Sequence, residues 1–243
     1  MSGHSKWHNI QGKKGKADKA RANAFTKVSK AITIAAQNGG GDPAMNFSLR
    51  LAIDKAKEVN MPKDNIDRAV KKGTGELKDG VVLQEVVYEG YGPGGIAVIV
   101  ESVTDNTNRA LTEIKNAFTK SGGSLGSKGA VAWQFEYKAV LRISTEKRVE
   151  IKNWEELELA LMDAGVDDIR ESENGVELIG PKEKFQAMNE VLHKAGISPD
   201  SAGLEWMAKE TVELSEEQLQ KLVELIDALH DLDDVKEVYT TAK

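Results

Sequence analysis

The sequence predicts an α+β protein in which an N-terminal three-helix domain precedes two ferredoxin-like α/β sandwich domains, one inserted in the other. Three observations lead to this prediction. Apolar residues recur at helical spacing as far as about residue 75, the pattern changes to that of strands from residue 81, and a complete set of strands and helices interrupts an incomplete one. The predicted domains are 1–78, 79–137 together with 214–243, and 138–213.

Three helices are predicted in the first domain. The first begins near residue 17 and ends at the glycines of 38–41, and the second follows Asp42 and Pro43, which we expect to cap it and to open its first turn. A third starts after Met61 and Pro62 and ends near 72–75. Short links between amphipathic helices are typical of a small bundle. The residues predicted to face its core are Ala24, Phe25, Val28, Ile32, Ala35, Met45, Leu49, Ala52, Ile53, Ala56, Ile66, Ala69 and Val70.

The middle domain is predicted to be discontinuous. Strands are expected at 82–89, 96–100 and 130–135, with a turn at 90–95 and a helix capped near Thr104 or Asp105. This set lacks one helix and one strand. The tail supplies both, because the capping box of Ser215 and Gln218 opens a helix and a strand follows around 235–240. Residues 139–213 carry their own elements in the split βαβ order, so they are predicted to form the inserted domain.

The charges of the chain are segregated. The first thirty residues hold eight Lys or Arg against one acid, and residues 1–78 hold 16 basic against 7 acidic residues, whereas residues 79–243 hold 17 basic against 32 acidic residues. A basic segment releases condensed counterions when it contacts phosphates, so the sequence predicts a nucleic-acid partner rather than a merely solvated face. The residues predicted to make this contact are Lys6, Trp7, His8, Asn9, Lys13, Lys14, Lys16, Lys19, Arg21, Lys27 and Lys30.

Trp7 gives the basic segment a possible recognition element. Its indole has no apolar company nearby except Ile10. An indole among lysines is a surface on which a base or a ribose can stack, and His8 and Asn9 offer hydrogen bonds beside it. The first sixteen residues show no apolar periodicity, so we expect an arm that is poorly ordered without its partner.

Composition argues against several other classes of protein. The chain has no cysteine, which excludes disulfides, thiolate catalysis and zinc–thiolate sites and fits a cytoplasmic location. No apolar run approaches the roughly 18 residues that span a bilayer, and no apolar segment of a secretory signal follows the basic N-terminus. We expect no membrane partner, no cofactor, no metal and no small-molecule substrate.

Patterns that resemble chemical sites have plainer interpretations. Residues 90–95 spell G-x-G-x-x-G, but a strand follows them, so a hairpin turn is predicted. His4 and His8 lack a third metal ligand, and Asp105 is expected to cap a helix, so no catalytic residue is predicted and the protein is not expected to be an enzyme. The glycine-rich loop at 122–129 leaves two alternatives, a flexible connection or amides that approach a phosphate beside Lys128.

Longer motifs make the chain similar to the YebC/PmpR family. They are GHSKW at 3–7, NI at 9–10, NMPKDNIDRA at 60–69, YEGYGPGG at 88–95, TDNTNR at 104–109 and GGSLG at 122–126. The resemblance implies the same three-domain layout and a probable transcriptional regulator. It also implies a link to translation, since mitochondrial relatives activate translation of cytochrome oxidase subunit I and bacterial members are tied to ribosomes translating proline-rich stretches. Family members often carry basic residues where this chain has Gln11 and Gly12.

Two functions therefore stay open. The first is a DNA-binding transcriptional regulator. The second is a ribosome-associated translation factor that contacts ribosomal RNA through its basic arm and helps translation of proline-rich stretches. A helix-turn-helix needs a turn of about three to four residues before its recognition helix, and the glycine-rich link at 38–43 is longer, so base reading in the major groove is not predicted.

Overall fold

The computed structural model describes residues 17–77 and 82–243, with side chains described from residue 23. Helices α1–α3 precede two antiparallel sheets, which confirms the predicted α+β class. The helices are α1 (Ala17–Gly39), α2 (Phe47–Glu58), α3 (Lys63–Gly73), α4 (Thr107–Lys120), α5 (Thr145–Glu150), α6 (Trp154–Asp163), α7 (Phe185–Lys194) and α8 (Glu216–His230). The strands are β1 (Gln84–Tyr91), β2 (Ala97–Thr104), β3 (Ser124–Leu125), β4 (Phe135–Ser144), β5 (Asp168–Ser172), β6 (Gly175–Pro181), β7 (Ser201–Ala208) and β8 (Val235–Thr240).

The chain divides into two compact units, one holding the residues up to Phe135 together with Ala208–Lys243, and the other Glu136–Met207. The finer division into a helical domain, a middle domain and an inserted domain at the predicted boundaries stays a prediction. No helix in the described ranges is long and apolar enough to cross a membrane.

Helices α1–α3 pack around one apolar core. Its centre holds Ile32, Leu49 and Ala56, all fully buried, and the stripe predicted from helical spacing supplies most of the remainder. The helices α1 and α3 approach closely at Gly73, where an added Cβ would lie 2.3 Å from the carbonyl oxygen of Thr33. No larger residue fits there without separating the two helices.

The start of α2 differs from the prediction. Asp42 forms a turn, in which its Oδ1 accepts the Ala44 amide at 2.9 Å, and Met45 is 85% exposed rather than part of the core stripe. The helix is capped by Asn46, whose side chain accepts the Leu49 amide at 3.1 Å. Asn46 is 7% exposed. Asn46 replaces the predicted cap because its amide group also donates to two backbone carbonyls of the α1 end and the link, at 2.7 and 2.8 Å.

The first sheet has the strand order β3-β1-β2-β8. Strand β2 is buried at every position and pairs antiparallel with both β1 and β8, so the C-terminal strand completes the sheet formed by the earlier ones. Helices α4 and α8 cover one face through Phe118, Leu222, Leu225 and Ile226, as expected for the predicted tail helix. The capping box of Ser215 and Gln218 is present at the start of α8.

Two predictions for this sheet are wrong. Helix α4 is capped by Asn106, which accepts the Arg109 amide at 3.0 Å, and not by Thr104, which ends β2, or by Asp105. The strand predicted at 130–135 is absent from the described structure: the third strand is β3, and a 3-10 turn at Ala132–Gln134 precedes β4. The amides of this segment cannot join a ladder because the Glu89 carboxylate accepts them.

The second sheet has the order β5-β6-β4-β7, which is the ferredoxin-like arrangement predicted for the inserted segment. Helices α6 and α7 cover it through a core that includes Leu141, Leu161, Leu178 and Met188, all fully buried. The short helix α5 was not predicted, and β7 lies at Ser201–Ala208, whereas the sequence predicts this strand near 204–212.

Candidate nucleic-acid interface

The residues predicted to bind nucleic acid fall into three groups along the N-terminal segment. Lys27 and Lys30 lie on α1 with described side chains. Lys19 and Arg21 lie on the same helix, and their side chains are outside the description. The remainder of the set also lies outside the described residues: Lys6, Trp7, His8, Asn9, Lys13, Lys14 and Lys16.

Lys27 and Lys30 both contact the segment that follows α8. The Lys27 ammonium donates to the His230 carbonyl at 2.6 Å, and the Lys30 ammonium donates to the Asp233 carbonyl at 2.9 Å. Lys30 also pairs with the Asp234 carboxylate at 2.5 Å. Cations are favourable at a helix carboxyl end, where the carbonyl groups lack helical partners. Burial lowers the pKa of Lys27 below its ordinary value, and the nearby carboxylates offset this only in part.

Asp234 is the centre of this contact. Its side chain is 2% exposed, and it accepts from Lys30, from the Arg109 guanidinium at 2.8 Å and from the Thr104 hydroxyl at 3.0 Å. Burial alone would raise the pKa of Asp234, but the hydrogen bonds from Lys30 and Arg109 outweigh it and hold the pKa below the ordinary value. The Arg109 guanidinium also pairs with the Asp105 carboxylate at 2.8 Å. Asp105, which was predicted to cap α4, therefore holds Arg109 instead.

These contacts attach α1 to the first sheet. Lys27 and Lys30 thus have protein partners, and their part in nucleic-acid binding stays a prediction. Sequence reasoning missed Asp234, because 204 residues separate it from Lys30 and no local pattern marks it.

A groove of about 770 Å³ lies between α1 and α3. Asn65 and Arg68 are exposed there, and Lys72 lies one further turn along the same face of α3. None of these three residues is in the set predicted to bind nucleic acid, although their spacing of three and four residues on a helix was a signal for a shared polar face. The lining residues are Phe25, Thr26, Ser29, Lys30, Met61, Asn65, Arg68, Ala69, Lys72 and Leu77.

The connection between α2 and α3 is short. Helix α2 ends at Glu58 and α3 begins at Lys63, and Asn60 in the link adopts a left-handed conformation with φ of 58°. The four intervening residues match the turn length of a helix-turn-helix motif. The prediction against a helix-turn-helix considered only the longer link between α1 and α2, and the shorter link between α2 and α3 was not considered.

The glycine-rich loop at 122–129 presents its final amides to a carboxylate of the same chain. The Glu89 carboxylate, on a residue 5% exposed, accepts the amides of Gly129 at 2.6 Å and of Val131 and Ala132 at 2.8 Å each. Burial alone would raise the pKa of Glu89, but these three hydrogen bonds and the charge of Lys128 together hold the pKa below its ordinary value. Of these three amides only that of Gly129 belongs to the loop at 122–129, so it alone bears on the predicted alternative of loop amides approaching a phosphate, and it is occupied.

The other patterns that resembled chemical sites are structural where they are described. Residues 90–95 form the connection from β1 to β2, with a 3-10 turn at Pro93–Gly95, as the hairpin prediction required. His4 and His8 lie outside the described residues. Within residues 17–77 and 82–243 there is no group of three or more His, Cys, Asp or Glu side chains that could hold a metal ion.

Comparison with protein families covers nearly the whole chain. Residues 5–76 match the TACO1/YebC protein N-terminal domain, and residues 83–242 match the TACO1/YebC second and third domain. The chain belongs to the TACO1/YebC family. The resemblance described from the sequence motifs is thereby confirmed.

Two TACO1/YebC relatives are each named probable transcriptional regulatory protein. The one from Natranaerobius thermophilus is 44% identical over 98% of this chain and 95% of its own length, and the one from Desulfatibacillum aliphaticivorans is 48% identical over 100% and 96%. The crystal structure of a conserved hypothetical protein from Aquifex aeolicus is similar with a TM-score of 0.82 and 39% identity, covering 96% of this chain and 95% of that one.

Proposed function

We propose that this TACO1/YebC protein is a nucleic-acid-binding regulator of gene expression, in the first place a DNA-binding transcriptional regulator. The observation that carries the proposal is the segregation of charge, with 16 basic against 7 acidic residues in 1–78 and the reverse excess in the remainder. Attraction to phosphates then acts on the N-terminal part, while the acidic remainder is repelled and orients the molecule. The proposal assigns no catalytic residue, cofactor or metal.

The attachment of α1 supports this assignment of roles. Lys27 and Lys30 attach α1 to the segment 230–234, which follows α8. The first turns of α1 therefore belong to a helix that is fixed further along its length. The proposed phosphate contacts are made by the cations that precede this anchor, Lys6, Lys13, Lys14, Lys16, Lys19 and Arg21.

Duplex DNA is favoured by the pair α2 and α3. A four-residue link connects them, and α3 exposes Lys63, Asn65 and Arg68 in its first two turns, which is the part of a recognition helix that reaches base edges. Replacing Arg68 with alanine should weaken binding to a promoter fragment by more than the matched change Lys55→Ala, an exposed cation on α2. Equal effects of the two changes would remove α3 from the interface.

A ribosome-associated translation factor is the second candidate, and Trp7 favours it. An indole among lysines stacks on unpaired bases, which looped RNA offers and duplex DNA does not. In this alternative the arm reaches ribosomal RNA, and the protein helps translation of proline-rich stretches.

One experiment tests the shared claim and separates the two candidates. The wild-type protein and a variant with Lys6, Lys13, Lys14 and Lys16 changed to alanine are compared for binding to a promoter fragment and for co-sedimentation with ribosomes over a series of salt concentrations that includes the physiological one. Each lost phosphate contact should reduce the slope of log affinity against log salt by about 0.7 to 0.9. An unchanged slope on both partners would refute the arm as the binding element. The partner that binds more tightly at physiological salt identifies which candidate holds.

A further inference from the structure

An exposed aromatic pair lies at the end of the glycine-rich loop. Trp133, in the 3-10 turn Ala132–Gln134, is 67% exposed, and Tyr91 at the end of β1 is 37% exposed. The Trp133 indole N–H donates to the Ala130 carbonyl at 3.1 Å, and the Tyr91 hydroxyl donates to the same carbonyl at 2.9 Å. The hydrogen-bonding groups of both rings therefore have partners within the chain, and the exposed surface of the rings is apolar.

The backbone beneath this pair is firmly held. Val131 is fully buried, and the Glu89 carboxylate holds the amides of Gly129, Val131 and Ala132 from below. A further hydrogen bond joins the Gly126 amide to the Glu89 carbonyl at 2.8 Å. A ring on such a support is positioned before any partner arrives, which reduces the entropic cost of binding.

The stretch of sequence that contains Trp133 is basic, whereas the remainder of the chain after residue 78 is acidic. Residues 114–135 hold Lys115, Lys120 and Lys128 and no Asp or Glu, which is the longest run without an acid after residue 78. Lys128 is exposed and lies in the glycine-rich loop, a few residues before Trp133. The segment is thus basic within a part of the chain that holds 17 basic against 32 acidic residues.

We propose that Trp133 and Tyr91 form a stacking platform for an unpaired base of the bound nucleic acid, with Lys128 contacting the neighbouring phosphate. Aromatic faces combined with a cation are the composition of surfaces that bind single strands, and the Glu89 carboxylate next to them is buried and already occupied by three amides. The bases of a duplex are already stacked on each other, so an intact duplex offers this platform no free face. This inference rests on the proposed function in its second form, the translation factor, because looped RNA offers unpaired bases and duplex DNA does not.

The test uses the full-length chain and a short single-stranded RNA of mixed sequence, alone or annealed to its complement, at two salt concentrations. Trp133→Ala should weaken single-strand binding about 5- to 150-fold at both concentrations, since stacking is little affected by salt. Trp133→Phe should retain most of the affinity. Lys128→Ala should give a smaller loss that fades as salt rises, with a slope reduced by about 0.7. Binding of the annealed duplex should not respond to Trp133→Ala.

Matched measurements separate the possible failures. The unfolding midpoint of Trp133→Ala should equal that of the wild type, and Leu159→Ala, at another apolar side chain that is 65% exposed, should bind RNA normally. If Trp133→Ala binds like the wild type while the variant of the four arm lysines loses binding, the platform is refuted and the proposed function stands. If the wild type binds neither form of the RNA nor promoter DNA, the proposed function and the platform fail together. Equal losses on single strand and duplex, or a lowered unfolding midpoint, would also overturn stacking.

Discussion

Replacing Asp234 with alanine should destabilise the protein by about 3 kcal/mol. Removal of one partner from a buried ion pair costs about 3 to 5 kcal/mol, because the other charge is left uncompensated. The Asp234 side chain is 2% exposed and the Lys30 side chain 18% exposed, so this pair is of the buried kind. The cost falls at the lower end because Lys30 keeps the Asp233 carbonyl at 2.9 Å and the half-exposed Arg109 keeps Asp105 at 2.8 Å.

The assay is urea denaturation followed by far-UV circular dichroism, in the wild type, in Asp234→Ala, in Lys30→Met and in Asp234→Ala with Lys30→Met. The second change removes the stranded ammonium, so the two changes together should cost at least about 1 kcal/mol less than their sum. Asp54→Asn is the matched control, because Asp54 pairs with Lys57 on the surface of α2, where both side chains are more than half exposed. Its unfolding midpoint should stay close to the wild-type value.

The pH dependence gives a second check on the same carboxylate. The pKa of Asp234 is lowered in the folded protein, so the charged form contributes stability above the unfolded-state pKa of about 3.9. That contribution is lost as the pH falls from about 4 through the lower pKa of the folded state. The difference between wild type and Asp234→Asn should be constant near neutral pH and shrink below pH of about 4. A cost below about 0.5 kcal/mol for Asp234→Ala, or strict additivity with Lys30→Met, would refute the buried pair as the attachment of α1.

Three further changes probe other contacts. Asn46→Ala should cost about 2 to 3 kcal/mol in urea denaturation, because it removes a helix cap and the hydrogen bonds that the side chain donates to the Ala35 and Gly40 carbonyls, whereas the exposed cap change Asn106→Ala should cost only about 1 kcal/mol; equal costs would contradict the second role of Asn46. Glu89→Gln should destabilise by about 2 kcal/mol at neutral pH, and this difference should shrink as the pH falls below about 4.3 through the lowered folded-state pKa of Glu89; a pH-independent difference would argue against its charge. Trp7→Ala should weaken binding to structured ribosomal RNA by about 1 to 3 kcal/mol at both low and high salt and leave duplex DNA binding unchanged, and equal, negligible losses on both would return Trp7 to a structural role.

Prediction from sequence was most successful where a pattern repeats locally. The stripes of α1 and α3 and the capping box of Ser215 and Gln218 depend on residues within a few turns of one another, and all three are present in the structure. The errors occur where two nearby residues both satisfy the sequence rule for the same role, such as capping one helix. Asp42 and Asn46 can both cap a helix in principle, and the structure selects Asn46 because its side chain alone also reaches the carbonyl of Ala35 at the end of the preceding helix.

The candidate site shows the same division. Charge segregation, the lysines of the first thirty residues and Trp7 are visible in the sequence, and their assignment to nucleic acid stays a prediction there. The role of Lys30 was not visible, because its partner lies 204 residues away. The aromatic pair was missed as well, since Tyr91 and Trp133 are far apart in the sequence and meet only where both donate to the carbonyl of Ala130.

The sequence by itself determined the family, the α+β class and most of the helices and strands, because motifs and apolar periods are properties of short segments. Only the tertiary structure decided which charges bind each other and which are left for a partner. Asp234 neutralises the charge of Lys30, and Glu89 accepts the hydrogen bonds of the loop amides. Both pairings form because the fold brings distant groups together and because burial makes an unpaired charge or amide costly. Trp133 stays exposed because its indole N–H finds a partner beside it while no described apolar core reaches its ring.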